Sequence, residues 1–307
     1  HAPRPLLRRG CVMLLLVVLF LQVRPQAVYR PERLEVFFLD VGQGDCACVV
    51  FPGGDALLID GGGSRDPDFS VGRRVVLPFL LQQRIHVRWM AVSHFHPDHA
   101  AGIVDLIPLL RPQEIWVSSA PRAHPLWRCL VRNASGVSLI RHVFAEPLLD
   151  TAGCRVTCLF PQEFCRAHGV DNDESQVLLV EDEHHCFLFT GDAGSKVERQ
   201  LMSSPGFGSG ATVLKAGHHG SAASSSEPFL SMLSPRLVVF SCAGGNPFGF
   251  PHGRVIARLS TLGIPWVCTS WSGHLHLRSQ ERAIRVSPVT RESSSVLIST
   301  RISHTIQ

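Results

Sequence analysis

Short apolar segments that alternate with glycine-rich turns run through most of this chain and predict a strand-rich fold. In the first part, residues 34–41, 46–51 and 56–59 predict successive strands of a meander. Residues 71–83 place their apolar side chains at helical spacing, and residues 88–93 predict a strand that stops at a cluster of histidines. This part of the chain therefore predicts a sheet with a helix packed beside it.

The same pattern continues through the second part of the chain. Further strands are predicted at 114–118, 156–160, 176–181, 184–190, 212–215, 237–241 and 266–269. Further helices are predicted at 100–110, 195–202, 228–233 and 255–262, and one more helix and strand before His142. Two strand-rich halves with interspersed helices predict an α+β fold, a four-layer sandwich of two sheets covered by helices.

No low-complexity linker separates the halves, so one domain is predicted from residue 34 to residue 280. Residues 281–307 are polar and are predicted to form a tail. Residues 1–33 combine arginines with the apolar run 11–21, which is shorter than the roughly 20 residues of a lone membrane helix. Such a run suits a secretory segment, or a helix supported by neighbouring helices in a longer protein, so we expect residues 1–33 to be a membrane-proximal segment of one of these two kinds. The arginines before the run predict that the domain lies on the outer side of the membrane.

Composition restricts the class of protein and the kind of partner. The chain has 307 residues, of which 45% are hydrophobic and 18% charged, and this excludes disorder, collagen and coiled coil. The formal net charge is +4, but residues 1–33 contain six arginines against one acidic residue, so the remainder is close to neutral. Contact with nucleic acid would therefore require a local basic patch. The 10 cysteines lack the spacing of zinc knuckles and are interpreted as small buried apolar residues.

The most informative motif is SHFHPDHAAG at residues 93–102, where a predicted strand gives way to a helix. His94 and His96 are two residues apart in an extended chain and project to the same side, where both can bind one metal ion. Asp98 and His99 begin the following turn and can bind a second ion nearby. The alternative, a solvated polar loop, does not explain three histidines and an aspartate so close together.

Two later motifs also lie at the ends of predicted strands. TGD at residues 190–192 places the Asp192 carboxylate where its two oxygens can bridge two cations. KAGHHGS at residues 215–221 places His218 and His219 between glycines that permit close approach. Each motif alone is common in turns, but together with the first cluster they predict a metal centre.

The HxHxDH motif, the later aspartate and the final histidine pair resemble the metallo-β-lactamase fold superfamily. The segments FLDVGQGD at 38–45, LIDGG at 58–62 and HHGS at 218–221 are more particular. They resemble the C-terminal domain of the DNA-internalisation competence proteins, which are membrane channel proteins of natural transformation, and the similarity extends from residue 34 to residue 277. The resemblance implies a four-layer αββα sandwich that follows a short membrane-associated segment.

The resemblance also implies a centre of two divalent metal ions, zinc or manganese. The metal ligands would be His94, His96, Asp98, His99, Asp192 and His219. The first two would bind one ion, Asp192 would bridge, and the others would bind the second ion. His218 would contact the substrate phosphate or protonate the leaving oxygen, although the roles of His218 and His219 can be exchanged.

Catalytic and supporting residues surround these ligands in the resemblance. The catalytic set would be Asp98, His218 and His252, and the supporting set Asp40, Asp45, Asp60, Asn172 and Ser221. Asp60 would support the site by hydrogen bonding. Asp40 and Asp45 either do the same or cap the backbone N–H groups of a turn. Ser221 fits a turn or a supporting role better than that of a covalent nucleophile.

Two positions depart from the family pattern. Many superfamily hydrolases have a histidine before a mid-chain strand, where this chain has NDES at residues 172–175, and His168 lies a few residues earlier. The first ion would then have only His94, His96 and the bridging aspartate as protein ligands. Phe250 stands where a histidine is usual in the competence proteins, and His252 is a candidate to replace it.

The predicted function is a metal-dependent phosphodiester hydrolase, the nuclease domain of a DNA-uptake protein in the cell membrane, with the domain on the extracytoplasmic side. Metal-activated water would be the nucleophile. DNA is the expected partner, and Arg73, Arg74, Arg122, Arg128 and Arg132 form either a DNA-facing patch or solvated helix faces. The alternatives are an exported metallohydrolase of a small ester or phospholipid headgroup, and a non-catalytic module that binds DNA and gates the channel.

Overall fold

Two β-sheets form the centre of the protein in the computed structural model, which describes residues 13, 27–66, 68–163, 171–204, 207–208, 211–289 and 296–299. Within these residues the first sheet contains β1 (Glu35–Phe38), β2 (Ala47–Val50), β3 (Asp55–Ile59), β4 (His86–Val92), β5 (Glu114–Val117), β6 (Leu139–His142), β14 (Leu275–Gln280), β15 (Ala283–Pro288) and β16 (Val296–Ser299). The second sheet contains β7 (Glu146–Thr151), β8 (Cys154–Phe160), β9 (Val177–Glu181), β10 (Cys186–Phe189), β11 (Val213–Lys215), β12 (Leu237–Phe240) and β13 (Trp266–Cys268). The spatial orders are β16-β15-β14-β1-β2-β3-β4-β5-β6 and β13-β12-β11-β10-β9-β8-β7.

Each sheet has a parallel section whose strands are connected by helices. Strands β3 to β6 are parallel neighbours, and so are β10 to β13. The connecting helices are α1 (Leu77–Gln83) with a π-helical turn before it (Gly72–Val76), α2 (Pro97–Leu110), α3 (Pro125–Ala134), α4 (Ser195–Ser203), α5 (Glu227–Leu233) and α6 (Gly253–Thr261). Shorter segments are α7 (Thr269–Ser272) and the 3-10 turns Asn172–Glu174 and Gly217–Gly220. Ligand sites of α/β sheets usually lie at the carboxyl ends of parallel strands, and the loops after β4, β10 and β11 meet there.

Three apolar layers hold the sheets and helices together. The central layer lies between the two sheets and includes the buried side chains of Phe38, Trp116 and Phe187. A second layer lies between the first sheet and helices α1 to α3, and a third between the second sheet and helices α4 to α6. The order helix, sheet, sheet, helix confirms the predicted four-layer α+β sandwich.

Glycines let α2 pack unusually close to neighbouring turns. A Cβ atom on Gly102 would lie 1.9 Å from the carbonyl oxygen of Gly61, which follows β3. Gly44, with φ +143°, also packs against α2, since a Cβ there would be 2.3 Å from the carbonyl oxygen of Asp98. These contacts fix the first turn of α2, which carries Asp98 and His99, against the turns after β1 and β3.

The structure differs from the sequence prediction mainly at β7, β14, β15 and β16, where no strand is predicted. Strand β15 pairs with β14, and β16 pairs with β15, so the first sheet continues past residue 280 into the range of the predicted polar tail. The physical reason is that Ile284 and Val286 reach the central apolar layer, while Arg285 between them is exposed. A single pair of apolar side chains and a backbone ladder are enough to extend an existing sheet.

The predicted membrane-proximal segment, residues 1–33, lies largely outside the described residues, which begin continuously at Ala27. It stays a prediction. Among the helices of the described residues, none has the length and apolarity that a membrane crossing requires. The cysteines in the described residues are free thiols, and most are buried, in agreement with their interpretation as small apolar residues.

We predict that Gly102→Ala destabilises the protein, although alanine normally favours a helix over glycine by about 1 kcal/mol. The added methyl group would overlap the backbone of Gly61, and such overpacking costs about 1–3 kcal/mol. Gly253→Ala is the matched control, because Gly253 begins α6 and a Cβ atom there would meet no atom within 4 Å. Urea unfolding of both variants gives the measurement. A Gly102→Ala variant as stable as the wild-type protein would contradict this account of the packing.

Candidate metal centre

The loop between β4 and α2 supplies the first group of clustered side chains. His94 Nε2 lies 2.9 Å from His96 Nδ1, and the His94 side chain is fully buried. Helix α2 begins at Pro97, whose fixed φ suits a first helical turn, and Asp98 lies in that turn near the positive end of the helix dipole. The loop thus presents two histidines before the helix, and Asp98 and His99 within its first turn.

Asp192, which follows β10, lies between two groups of imidazoles. Its Oδ1 atom lies 3.2 Å from His99 Nε2 and 3.5 Å from His219 Nε2. Its Oδ2 atom lies 3.9 Å from His94 Nε2 and 3.7 Å from His218 Nε2. The two oxygens of one buried carboxylate therefore face different imidazoles, which is the arrangement that a bridging ligand requires.

His218 and His219 follow β11 in a strained turn. Their φ angles are 47° and 55°, and Gly220 continues the left-handed conformation with φ 88°. Such conformations cost about 1–3 kcal/mol for residues other than glycine, and they cluster at functional sites. The turn directs His219 Nε2 toward the centre, 3.4 Å from Asp98 Oδ2, while His219 Nδ1 donates to the carbonyl oxygen of Ser241 at 2.9 Å.

Hydrogen bonds on the outer side of the cluster orient its members. His99 Nδ1 donates to Asp60 Oδ2 at 2.8 Å, and Asp60 also accepts from the backbone N–H and the hydroxyl of Ser93 at 2.8 and 2.7 Å. Ser175 Oγ accepts from the backbone N–H of Asp192 at 3.0 Å. His99 consequently presents Nε2 to the centre, as metal-binding histidines do when their other nitrogen has a carboxylate partner.

Several buried polar atoms at the centre have no hydrogen-bond partner among the described residues. They are His99 Nε2, His219 Nε2, Asp192 Oδ1 and Asp45 Oδ1. An unpaired buried polar atom costs about 1–3 kcal/mol, and a cation between these atoms would remove that cost. Ligand atoms of Asp45, His99, Asp192 and His219 lie within 4.8 Å of one another, as do those of His94, His96 and Asp192. This cluster of histidines and aspartates fits a divalent metal.

Lys215 is a member of the site whose role the sequence does not predict. Lys215 Nζ pairs with Asp45 Oδ2 and donates to the carbonyl oxygen of Gly191 at 3.0 Å. Both charged side chains are buried, and a buried charge is tolerated only when it is paired. Asp45 Oδ1 also lies 3.2 Å from His219 Nδ1, so the pair connects the turn after β1 to the histidine turn. The sequence feature that could have indicated this role is a lysine at the end of an apolar strand, in a chain with few lysines.

Two of the predicted supporting residues serve local turns in this structure. Asp40 Oδ1 accepts from the backbone N–H of Gly42 at 3.2 Å. Ser221 Oγ accepts from the backbone N–H of Ala223 at 3.3 Å. Both contacts are of the side chain to backbone kind that stabilises turns. For Asp40, the sequence left open a supporting role at the site and the capping of a turn, and the contact to Gly42 is of the capping kind.

Asn172, Phe250 and His252 lie beside the histidine turn. The amide nitrogen of Asn172 is 3.4 Å from both ring nitrogens of His218. The ring of Phe250 lies 5.7 Å from the ring of His218. His252 donates its backbone N–H to the carbonyl oxygen of Gly220, and its Nδ1 atom accepts from the backbone N–H of Arg254 in the first turn of α6. The His252 ring thus caps a helix, and its role toward substrate stays a prediction.

Electrostatics divide the buried imidazoles into charged and neutral ones. Burial opposes protonation of His219, but the carboxylates of Asp192 and Asp45 outweigh it and raise the pKa to about 9. Burial also opposes protonation of His99, yet its carboxylate neighbours, Asp192 first, hold its pKa well above the usual value. Burial and the charge of His99 keep the pKa of His94 well below the usual value.

We predict that metal binding releases protons at neutral pH. A nitrogen that binds a metal must be unprotonated, whereas the pKa of His219, about 9, keeps this ring protonated at pH 7 in the metal-free protein. Zinc affinity should therefore fall by about tenfold per displaced proton for each pH unit below the pKa of the imidazole that loses it. Calorimetric titration in buffers of different ionisation enthalpy counts the protons released. Zinc binding at pH 7 without proton release would contradict the role of His219 as a ligand.

Comparison with known proteins places the chain in a family. The sequence model of the metallo-beta-lactamase superfamily matches residues 39–244. Competence protein ComA of Neisseria gonorrhoeae is 30% identical over 295 residues, which cover 89% of this chain and 38% of that protein. Recombination protein 2 of Haemophilus influenzae is 29% identical over 252 residues, which cover 81% of this chain and 29% of that protein. The chain therefore spans well under half the length of these curated relatives.

A solved structure shares the fold. The metallo-beta-lactamase fold protein YhfI from Bacillus subtilis has a TM-score of 0.53 and 10% identity, covering 80% of this chain and 100% of that protein. At this identity the likeness concerns the fold alone. The match of the family model over most of the domain agrees with the four layers and with the clustered histidines and aspartates at the strand ends, and the chain belongs to the metallo-beta-lactamase superfamily.

Proposed function

We propose that this domain is a metal-dependent phosphodiesterase that cleaves DNA, as the hydrolase part of a membrane DNA-uptake protein. The observation that carries the proposal is the buried Asp192 carboxylate, whose oxygens face His99 and His219 on one side and His94 on the other. A carboxylate in this position supports a pair of divalent ions, which is the arrangement used by many phosphatases and nucleases. The relative named Competence protein ComA supports the uptake context.

The donor set determines which metals the site would take. Imidazole and carboxylate donors without thiolate suit zinc or manganese. One ion would be held by His94, His96 and Asp192. The other would be held by His99, Asp192 and His219, with Asp98, whose Oδ2 lies 3.4 Å from His219 Nε2, as the fourth ligand, while Asp45 in the same cluster stays paired with Lys215. When bound, the ions supply an activated water nucleophile and neutralise charge that develops on the phosphate. The protein keeps the donors buried and fixed, so little reorganisation is needed when substrate arrives.

His218 is placed to hold the substrate phosphate. Its side chain is 31% exposed, unlike the buried Asp192 beside it, and Nε2 lies 3.7 Å from Asp192 Oδ2. Burial lowers the pKa of His218, so the ring is neutral at pH 7 and keeps one N–H group. A neutral imidazole donates a hydrogen bond to a phosphate oxygen more readily than it transfers a proton. Of the two roles that the resemblance implies, contact with the phosphate is therefore favoured.

The membrane location and the DNA partner belong to the same proposal. They rest on the family resemblance, on the arginine-rich and apolar residues 1–33, and on the arginines predicted to form a patch. The completeness of the donor set favours catalysis over a gating module. A module that only binds DNA would not need two groups of histidines and carboxylates arranged around one aspartate. A hydrolase of a small ester or phospholipid headgroup would use the same centre, so the substrate must be tested directly.

We predict that Asp192→Ala reduces DNA hydrolysis by more than about 10³-fold, because the carboxylate serves both proposed ions. His252→Ala is the comparison: it should lose less activity, because this ring would contact only substrate, and about 1 kcal/mol of stability, since the ring caps α6. Both variants are assayed on single-stranded and double-stranded DNA with added Mn²⁺ or Zn²⁺. Circular dichroism establishes that each variant is folded. Equal and mild losses of activity would contradict the bridging role.

We also predict that metal removal separates DNA binding from cleavage. A chelator should stop cleavage and leave salt-sensitive binding, because contacts between arginine and phosphate depend on counterion release and not on the metal. The variants to test are alanine substitutions at Arg73, Arg74, Arg122, Arg128 and Arg132, with Arg285→Ala, on the exposed face of β15, as the control. Each lost contact should reduce the slope of log affinity against log salt by about 0.7 for single strands. A chelated protein without DNA affinity at low salt would reject the patch and favour a small-ester substrate.

A further inference from the structure

A cavity of about 620 Å³ opens directly beside the candidate metal centre. Asp98 forms its wall toward the centre, and the turns after β1, β3 and β12 form the other walls. Its lining includes Gln43, Arg65, Phe69 and Phe248. Small-molecule sites usually measure about 300–1,000 Å³, so the cavity is large enough for a substrate group. The proposed hydrolysis at the metal centre makes no use of this cavity.

Aromatic rings lead from the centre into the cavity. The ring of Phe250 lies 5.7 Å from the ring of His218, and Phe248 stacks on Phe250 with ring centroids 5.4 Å apart and planes inclined by 18°. Phe248 is 48% exposed, and Phe69 on another wall is 37% exposed. Exposed phenylalanine rings in a cavity beside a reactive centre are typical of a binding surface.

Arginine side chains accompany both exposed rings. The guanidinium carbon of Arg65 lies 5.2 Å from the ring centroid of Phe248, and that of Arg74 lies 5.3 Å from the ring centroid of Phe69. Arg65 forms no ion pair with any residue in the described part of the chain. A cation–π contact at an exposed site is weak, so a ligand ring can take the place of the guanidinium. The guanidinium is then free to bind an anion of the same ligand.

The loop that carries Phe248 is held by its own hydrogen bonds. Asn246 Nδ2 donates to the carbonyl oxygens of Ala243 and Phe250 at 2.9 and 2.6 Å. Asn246 Oδ1 accepts from the backbone N–H groups of Phe248 and Phe250 at 3.2 and 2.9 Å. The loop is thus ordered before a ligand binds, and this reduces the entropy that binding must overcome.

We infer that the cavity binds a nucleobase adjacent to the cleaved phosphate, stacked on Phe248, while Arg65 binds a neighbouring phosphate. A planar ring attached to an anion is the ligand that matches exposed aromatic rings, an unpaired guanidinium and a phosphodiester centre. In a duplex both faces of a base are covered by its neighbours, so this site selects single-stranded DNA or an unpaired end. The inference rests on the proposed nuclease function and specifies its substrate.

The experiment uses the full chain and three substrates: a single-stranded oligonucleotide, its duplex, and an abasic sugar–phosphate strand of equal length. Affinity is measured by fluorescence anisotropy with a chelator, and KM and kcat are measured with Mn²⁺. Phe248→Ala should weaken binding of the single strand and raise its KM by about 5- to 100-fold, as expected for the loss of one stacked base. Phe248→Trp should restore both values. The abasic strand should bind the wild-type protein and Phe248→Ala equally.

Phe144→Ala is the matched control, because Phe144 is 40% exposed and does not line the cavity. It should behave like the wild-type protein on every substrate. An equal loss of affinity for normal and abasic strands in Phe248→Ala, or no loss at all, would overturn the stacking site. If the wild-type protein cleaves DNA in that case, the nuclease function stands without it. Conversely, Phe248-dependent binding of single strands without cleavage would support the stacking site and refute the nuclease function.

Discussion

The whole site depends on one electrostatic constraint, the burial of the Asp192 carboxylate between imidazoles. A charge that is removed from water must be paired. The two oxygens of the buried Asp192 carboxylate face imidazole rings that come from different segments of the chain. Much of the surrounding structure serves this requirement. Asp60 orients His99, and the buried ammonium of Lys215 balances Asp45 beneath the histidine turn. The left-handed backbone of that turn is a local cost that these interactions offset.

Local patterns in the sequence predict the layers of the fold and the main cluster of the site. The spacing of His94 and His96 describes geometry within one extended segment, so no knowledge of the rest of the chain is needed. The alternation of apolar and polar residues predicts most strands and helices for the same reason, since each pattern reflects one buried face. The resemblance then connects motifs that are distant in the chain, such as Asp98 and His219, whose side chains lie 3.4 Å apart.

The parts that could not be predicted depend on contacts between distant segments. The pairing of Lys215 with Asp45 exists only because the end of β11 in the second sheet meets the turn after β1 in the first, and neither residue type reveals its partner. Strands β14 to β16 extend an edge whose backbone groups are already aligned, so few apolar residues are needed to form them. Their apolar pattern in the sequence is therefore weak. The cavity beside the centre is formed by three separate turns, and its exposed phenylalanines look like ordinary turn residues in the sequence.

The candidate centre also has a consequence for how the two sheets work together. His94 and His99 follow a strand of the first sheet, whereas Asp192 and His219 follow strands of the second. A cation bound by both groups would be a cross-link between the sheets, and the distance between its ligands is set by the apolar layer that separates them. Side chains in that layer, such as Phe38 stacked against Phe189, would then act on the cation at a distance, through the spacing of the two sheets. A change of core volume would in that case alter metal binding as well as stability.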